Sequence, residues 1–171
     1  MKKILYLFFA AAIAFCVACD DSGSSTDGSS GYIPQDNAAF LSDYSTSLAS
    51  IIIDCSSVPD ENSDAYDTTY TISGDISGNC VVATEYVVID YSITSSTTTY
   101  TFNSYNDSGT IYTGSFTIDL DDSLNGSYSG TVTGTGVYSG TIVYHITVTG
   151  GLLSGYYTVN GYNYDINGNP M

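Results

Sequence analysis

The sequence has almost no positive charge. Arginine and tryptophan are absent, and the only two lysines, Lys2 and Lys3, stand at the start of the chain. All 18 acidic residues follow Cys19, and His145 is the only histidine. The chain after Cys19 can therefore form no salt bridge to lysine or arginine. The same lack excludes nucleic acid as a partner, because nothing neutralises the phosphates, and it excludes charge-driven binding to an anionic membrane surface.

Long apolar runs are also scarce, and the longest one lies at the N-terminus. After the two lysines, residues 4–17 are uncharged and mostly apolar, which is too short for a bilayer span but suits the apolar region of a signal peptide. Small residues then lead into Cys19. This front end resembles the signal peptide and lipobox of bacterial lipoproteins, with Cys16 standing where that family usually has leucine. The resemblance implies removal of residues 1–18 and attachment of diacylglycerol and fatty acids such as palmitate to Cys19.

The composition changes sharply after the lipobox-like segment. Residues 19–31 contain Cys19 followed by a Ser/Gly/Asp stretch with no apolar side chain to bury, which predicts a flexible linker. Residues 32–171 have the length of a single domain with its own core. We expect a protein of the bacterial cell envelope that meets the membrane through its N-terminal lipid. Asp20 directly after the cysteine resembles the inner-membrane retention signal of some bacteria, whereas acidic residues there resemble surface-display signals of other groups. We expect the outer membrane or the cell surface rather than the inner membrane.

Two cysteines remain in the exported part of the chain, Cys55 and Cys80. An even pair in an oxidising compartment predicts a disulfide. Such a bond closes a loop of about 25 residues and contributes roughly 3 kcal/mol in the chain-entropy view. Two free, buried thiols are the alternative.

Hydrophobic periodicity predicts a mainly β fold with one N-terminal α-helix. Apolar residues from Phe40 to Ile52 recur at three- and four-residue spacing, which predicts an amphipathic helix over residues 35–54 that packs on a sheet. From residue 64 the period changes to two, as in antiparallel strands with one apolar and one wet face. Short turns leave no room for crossover helices, so we expect an antiparallel meander of about eight strands. The predicted strands are 66–76, 81–93, 98–105, 109–121, 127–134, 136–149, 152–159 and 162–166.

A short motif, Tyr-[Ser/Thr]-Gly-[Ser/Thr]-apolar, occurs at residues 112–116, 128–132 and 138–142. Glycine in the middle of a strand permits bending or the close approach of another element. The motif therefore predicts either a curved sheet that cups the helix or a barrel-like sheet with the helix as its lid. We expect Tyr138 and Tyr144 to lie in the core.

The carboxylates lack cationic partners and must be solvated, hydrogen-bonded or bound to a metal. Asp119, Asp121 and Asp122 lie together at a predicted hairpin, and their hard oxygen ligands would suit Ca²⁺. Leu124, however, occupies the position where a calcium loop of the EF-hand type needs glycine. The sequence favours acidic strand ends that keep the chain soluble, and we predict no cofactor.

Catalytic equipment is sparse. His145 lies in mid-strand on a hydroxyl-rich face, no Gly-x-Ser-x-Gly elbow is present, and one histidine cannot hold zinc. Asp119 and Asp121 are spaced about 6.5–7 Å apart along a strand, which leaves a carboxylate-based hydrolase as a distant alternative. The residues favour a non-enzymatic binding or structural module. A lipocalin-like carrier of a small hydrophobic ligand is the other alternative, on strand number and order only.

Tyrosine is the most abundant aromatic residue, and it is mixed with Ser, Gly, Asn and Thr as in adaptable binding loops. The densest group lies near the C-terminus. We predict a binding patch there for a protein, a glycan or a hydrophobic ligand, with four candidate side chains: Tyr156, Tyr157, Tyr162 and Tyr164.

Overall fold

The computed structural model describes residues 35–57 and 68–171. One helix is followed by eight strands that pair in chain order as a single antiparallel sheet, with β1 and β8 as its two edges. The prediction of a mainly β meander with one helix is confirmed, and the sheet is open rather than closed. The predicted signal peptide, Cys19 and the linker lie outside the described residues. The elements are α1 (Gln35–Ser57), β1 (Thr68–Ser73), β2 (Ser77–Ile89), β3 (Ser92–Asn106), β4 (Thr110–Asp121), β5 (Gly126–Gly136), β6 (Gly140–Thr149), β7 (Leu152–Val159) and β8 (Tyr162–Asp165).

The core lies between α1 and one face of the sheet, which we call the inner face. The predicted helical stripe is buried, as are alternate residues of the strands. Aromatic rings dominate this layer: Tyr100 and Phe116 stack with their centroids 4.6 Å apart, and Tyr44 of the helix lies 5.5 Å from Tyr112. The helical members of the core are Phe40, Leu41, Tyr44, Leu48 and Ile51.

Two glycines make room for the helix on the inner face. A Cβ atom on Gly134 or Gly140 would lie 2.6 Å from the ring of Phe40. Gly140 belongs to the third copy of the Tyr-[Ser/Thr]-Gly motif, so the expectation of a close approach by another element is met there. Tyr138 of the same copy is exposed, against the expectation that it lies in the core. It sits in the connection before β6 rather than inside a strand, so the alternation of the strand does not reach it.

Hydrogen bonds join the start of α1 to the end of β7. The Nδ2 atom of the buried Asn37 donates to the carbonyl oxygen of Val159 at 3.3 Å and to the hydroxyl of Tyr164 at 3.0 Å. In return, Nδ2 of Asn160 donates to Oδ1 of Asn37 at 2.7 Å. Hydrogen bonds between neutral amide groups thus join the helix to the sheet, a role that salt bridges have in proteins with cationic side chains.

The hairpin turns differ in how well the sequence predicts them. Asn160 and Gly161 both have positive φ between paired Val159 and Tyr162, which is the expected two-residue turn. The Asn125-Gly126 pair does not form such a turn, because pairing of β4 with β5 stops at Leu120 and Gly126. A longer loop intervenes, in which Leu124 takes the positive φ.

The contact between Phe40 and Gly140 can be tested by adding one methyl group. Gly140→Ala places a Cβ against the ring, and overpacking of this kind costs about 1–3 kcal/mol. We expect the urea midpoint of unfolding to fall accordingly. Ser139→Ala, one residue away and exposed, serves as the control and should leave the midpoint unchanged. Equal midpoints for the two variants would contradict the seating of the helix at this point.

Candidate binding face

The face of the sheet opposite the helix, which we call the outer face, carries mainly threonine and serine. Its side chains form rows that run across the strands, because residues paired in an antiparallel sheet point to the same side. None of the members of the three rows below is buried. Row one is Thr71, Val81, Thr101, Ser115, Thr131, Val143, Thr158 and Asn163; row two is Thr69, Ala83, Thr99, Thr117, Ser129, His145, Tyr156 and Asp165; row three is Glu85, Thr97, Asp119, Ser127, Thr147 and Ser154.

The spacing of these side chains follows from the sheet. Neighbours within a row are about 4.8 Å apart, and successive rows are about 6.5–7 Å apart. Some hydroxyls bond to one another, as between Thr99 and Thr117 at 3.1 Å. Others donate to neighbouring groups of the same face, as Thr158 does to Oδ1 of Asn163 at 2.9 Å. The outer face is therefore a regular array of small neutral hydrogen-bonding groups, with charge confined to Glu85, Asp119 and Asp165 in its rows.

An aromatic pair interrupts this array. The rings of His145 and Tyr156 lie side by side on β6 and β7, with their centroids 4.8 Å apart and their planes tilted by 33°. His145 is exposed and Tyr156 is half-buried. The sequence predicted that His145 lies in mid-strand on a hydroxyl-rich face, and the structure places it there, beside a tyrosine that the sequence grouped with the other C-terminal tyrosines.

The predicted tyrosine patch near the C-terminus is divided by the sheet. Tyr157 and Tyr164 are buried on the inner face, where their rings stack with centroids 5.6 Å apart. Tyr156 lies on the outer face, and Tyr162 is exposed at the β7–β8 turn. Only some of the four candidates therefore face water, and these two lie apart, because neighbouring residues of a strand point to opposite faces.

The three carboxylates proposed for Ca²⁺ are engaged separately. Asp121 uses both oxygens to accept hydrogen bonds from Nδ2 of Asn125, and it also accepts from the backbone amides of Ser123 and Asn125. These donors lower the pKa of Asp121. Asp119 accepts from Thr97 at 3.1 Å, and Asp122 from the hydroxyl of Ser123 at 3.2 Å. Across residues 35–57 and 68–171, no three Asp, Glu, His or Cys side chains converge as metal ligands.

Cys55 and Cys80 are free thiols in the structure, and the predicted disulfide between them is wrong for it. Both pack with the hydrophobic core, where free cysteine behaves as a small apolar residue. Burial raises the pKa of Cys55 to about 11 and that of Cys80 to about 12. The thiols therefore stay protonated at neutral pH, whereas disulfide exchange requires a thiolate.

The structure also brings together two carboxyl groups that are far apart in sequence. Asp75 in the β1–β2 turn and Asp107 in the β3–β4 turn lie close together, and the hairpins are joined by the amide of Ile76, which donates to the carbonyl oxygen of Asn106 at 3.0 Å. Burial and the charge of Asp75 raise the pKa of Asp107. Nothing in the local sequence predicts this pair, because the contact depends on the β1–β2 and β3–β4 turns lying side by side.

Neutralising one carboxylate of the Asp75–Asp107 pair should stabilise the folded protein, and this gain in stability should depend on pH. A carboxyl group whose pKa is raised by folding stabilises the folded state when the pH is below its unfolded pKa, about 3.9. That stabilisation is lost as the pH rises through the folded pKa. Asp107→Asn should therefore raise the melting temperature at pH 7, by the equivalent of about 0.5 kcal/mol for an exposed pair. The gain should vanish near pH 3. Asp119→Asn removes the same charge and is the control; an equal gain from it would mean that net charge alone is responsible.

Comparison with known proteins supplies no relative. No family model, no curated protein and no solved structure matches the chain. Within residues 35–57 and 68–171, no helix combines the length and the apolar character that a membrane span requires. The functional assignment therefore rests on the N-terminal sequence and on the geometry of the outer face.

Proposed function

We propose that this chain is a lipid-anchored protein of the bacterial cell envelope whose domain binds a partner without catalysis, through the outer face. The observation that carries the proposal is the outer face itself. It extends over all eight strands, its rows contain no buried member, and α1 lies on the opposite side. Because none of its row members is buried among the described residues, a partner can reach the face across the sheet.

The proposed anchor follows from the N-terminus and the charge. The lipobox-like segment supports acylation of Cys19, and the chain beyond it has no lysine or arginine with which to bind anionic lipid. The lipid is then the means of membrane attachment. Two or more acyl chains hold a protein stably where a single one is marginal.

Replacement of the acylated residue tests the anchor. Cys19→Ala should move the protein from the membrane fraction to the soluble fraction of lysed cells, because no basic surface can replace the lipid. Cys16→Ala is the matched control, since Cys16 lies in the segment that processing removes, and it should leave the protein in the membrane fraction. Persistent membrane association of Cys19→Ala would contradict the proposal.

The outer face can be tested on cells by thiol labelling. Ser129 lies exposed near the middle of row two, and Ser139 lies exposed in the β5–β6 turn. Ser129→Cys and Ser139→Cys each introduce one reactive thiol, because Cys55 and Cys80 have raised pKa values and pack with the core. N-ethylmaleimide crosses membranes, and mass spectrometry of the modified peptide gives the labelling rate on cells and in purified, detergent-extracted protein.

We expect the thiol of Ser129→Cys to react more slowly with N-ethylmaleimide on cells than in purified protein. The thiol of Ser139→Cys should react at the same rate in both. A face occupied about nine-tenths of the time labels about tenfold more slowly than the same face in purified protein. Equal labelling of both variants on cells and in detergent would show that the outer face is unoccupied, which contradicts the proposed function.

A further inference from the structure

The aromatic pair on the outer face is bordered mainly by small polar groups. Tyr156 pairs with His145 on one side and with Asp165 on the other, and the carboxylate of Asp165 is occupied by hydrogen bonds from Asn167 and Asn169. Along β7, the next outward side chains are Ser154 and Thr158. Val143, Thr147 and Asn163 stand diagonally across the neighbouring strands. A flat ligand on the aromatic pair would thus be bordered mainly by hydroxyl and amide groups at about 5–8 Å, with Val143 as the apolar exception.

The charge of the chain restricts what this site can bind. Aromatic rings bordered by hydrogen-bonding groups suit nucleobases and sugar rings alike. The described residues contain no lysine or arginine, so a phosphate or uronate group would meet only carboxylates and neutral groups. A cationic ligand would find one carboxylate beside the pair, that of Asp165, which already accepts hydrogen bonds from Asn167 and Asn169. The ligand that matches the outer face is therefore uncharged and rich in hydroxyl groups.

The geometry points to a neutral polysaccharide as the partner, and we propose that Tyr156 and His145 form the stacking platform for one of its sugar rings. The C–H face of a pyranose packs against the tyrosine ring. Its hydroxyls donate to the oxygens of Ser154 and Thr158, whose own hydroxyls donate to the carbonyl oxygen of Thr147 and to Oδ1 of Asn163. Further sugar units follow the rows of Thr and Ser across the sheet. This inference rests on the proposed function, since it names the partner of the same face.

Affinity electrophoresis in native gels tests this partner directly. The full-length, detergent-extracted protein is run in gels that contain laminarin, mannan, dextran or hydroxyethyl cellulose, and polygalacturonate is the anionic comparison. We expect at least one neutral polysaccharide to retard the protein and polygalacturonate to leave it unretarded. Tyr156→Ala should weaken the binding at least about tenfold, the effect of losing one buried stacking contact, whereas Tyr156→Phe should keep it.

Tyr162→Ala is the matched control, because Tyr162 is an exposed tyrosine six residues away at the β7–β8 turn and outside the three rows. Its retardation should equal that of the unaltered protein. The inference is overturned if no neutral polysaccharide retards the protein, if Tyr156→Ala binds as well as Tyr162→Ala, or if polygalacturonate binds equally. If Ser129→Cys is protected on cells while every polysaccharide fails, the outer face has a partner of another class and only this inference falls.

Discussion

The packing of Phe40 and Tyr44 against the inner face determines which side of the sheet is buried and which is exposed to solvent. A meander of eight strands has two faces, and one helix can cover only one of them. The covered face must then be apolar, and the other must be polar along every strand. Gly134 and Gly140 allow the helix to approach closely, and Asn37 ties its first turn to the β7–β8 hairpin. The outer face carries rows of Thr and Ser because the helix covers only the inner face.

A second constraint is the lack of cations, which shapes all polar contacts. Where other proteins use salt bridges, this one uses hydroxyls and amides, as when the hydroxyl of Tyr112 donates to Asp43 at 2.6 Å. The loops that begin at Asp121 and Asp165 stabilise their carboxylates in the same way. Each carboxylate accepts hydrogen bonds from the backbone amide and the side chain of the asparagine four residues on, and the pKa of both aspartates is lowered. Their stabilisation is present above the unfolded pKa and is lost as the pH falls through the folded one. Burial raises the pKa of Tyr100 and Tyr112, so alkaline pH removes stability from the core.

Periodicity in the sequence predicted the architecture well. The helical stripe and the alternating strands depend on local spacing, and both were confirmed. Predictions failed where the answer depends on which segments meet in space. Asp75 and Asp107 are brought together by adjacent hairpins, Cys55 and Cys80 enter the core as free thiols, and Tyr156 faces away from its neighbour Tyr157. The aromatic pair on the outer face is of this kind, because the β6–β7 register, and no local pattern, places His145 beside Tyr156.

The helix covers the inner face and leaves the outer face open, and nuclear Overhauser effects in the isotope-labelled protein can test this arrangement. We expect cross-peaks from the ring protons of Phe40 to the α-protons of Gly134 and Gly140, and none from α1 to the methyl groups of Thr131 and Val143. Cross-peaks between α1 and those outer methyl groups would instead place the helix on the other face of the sheet.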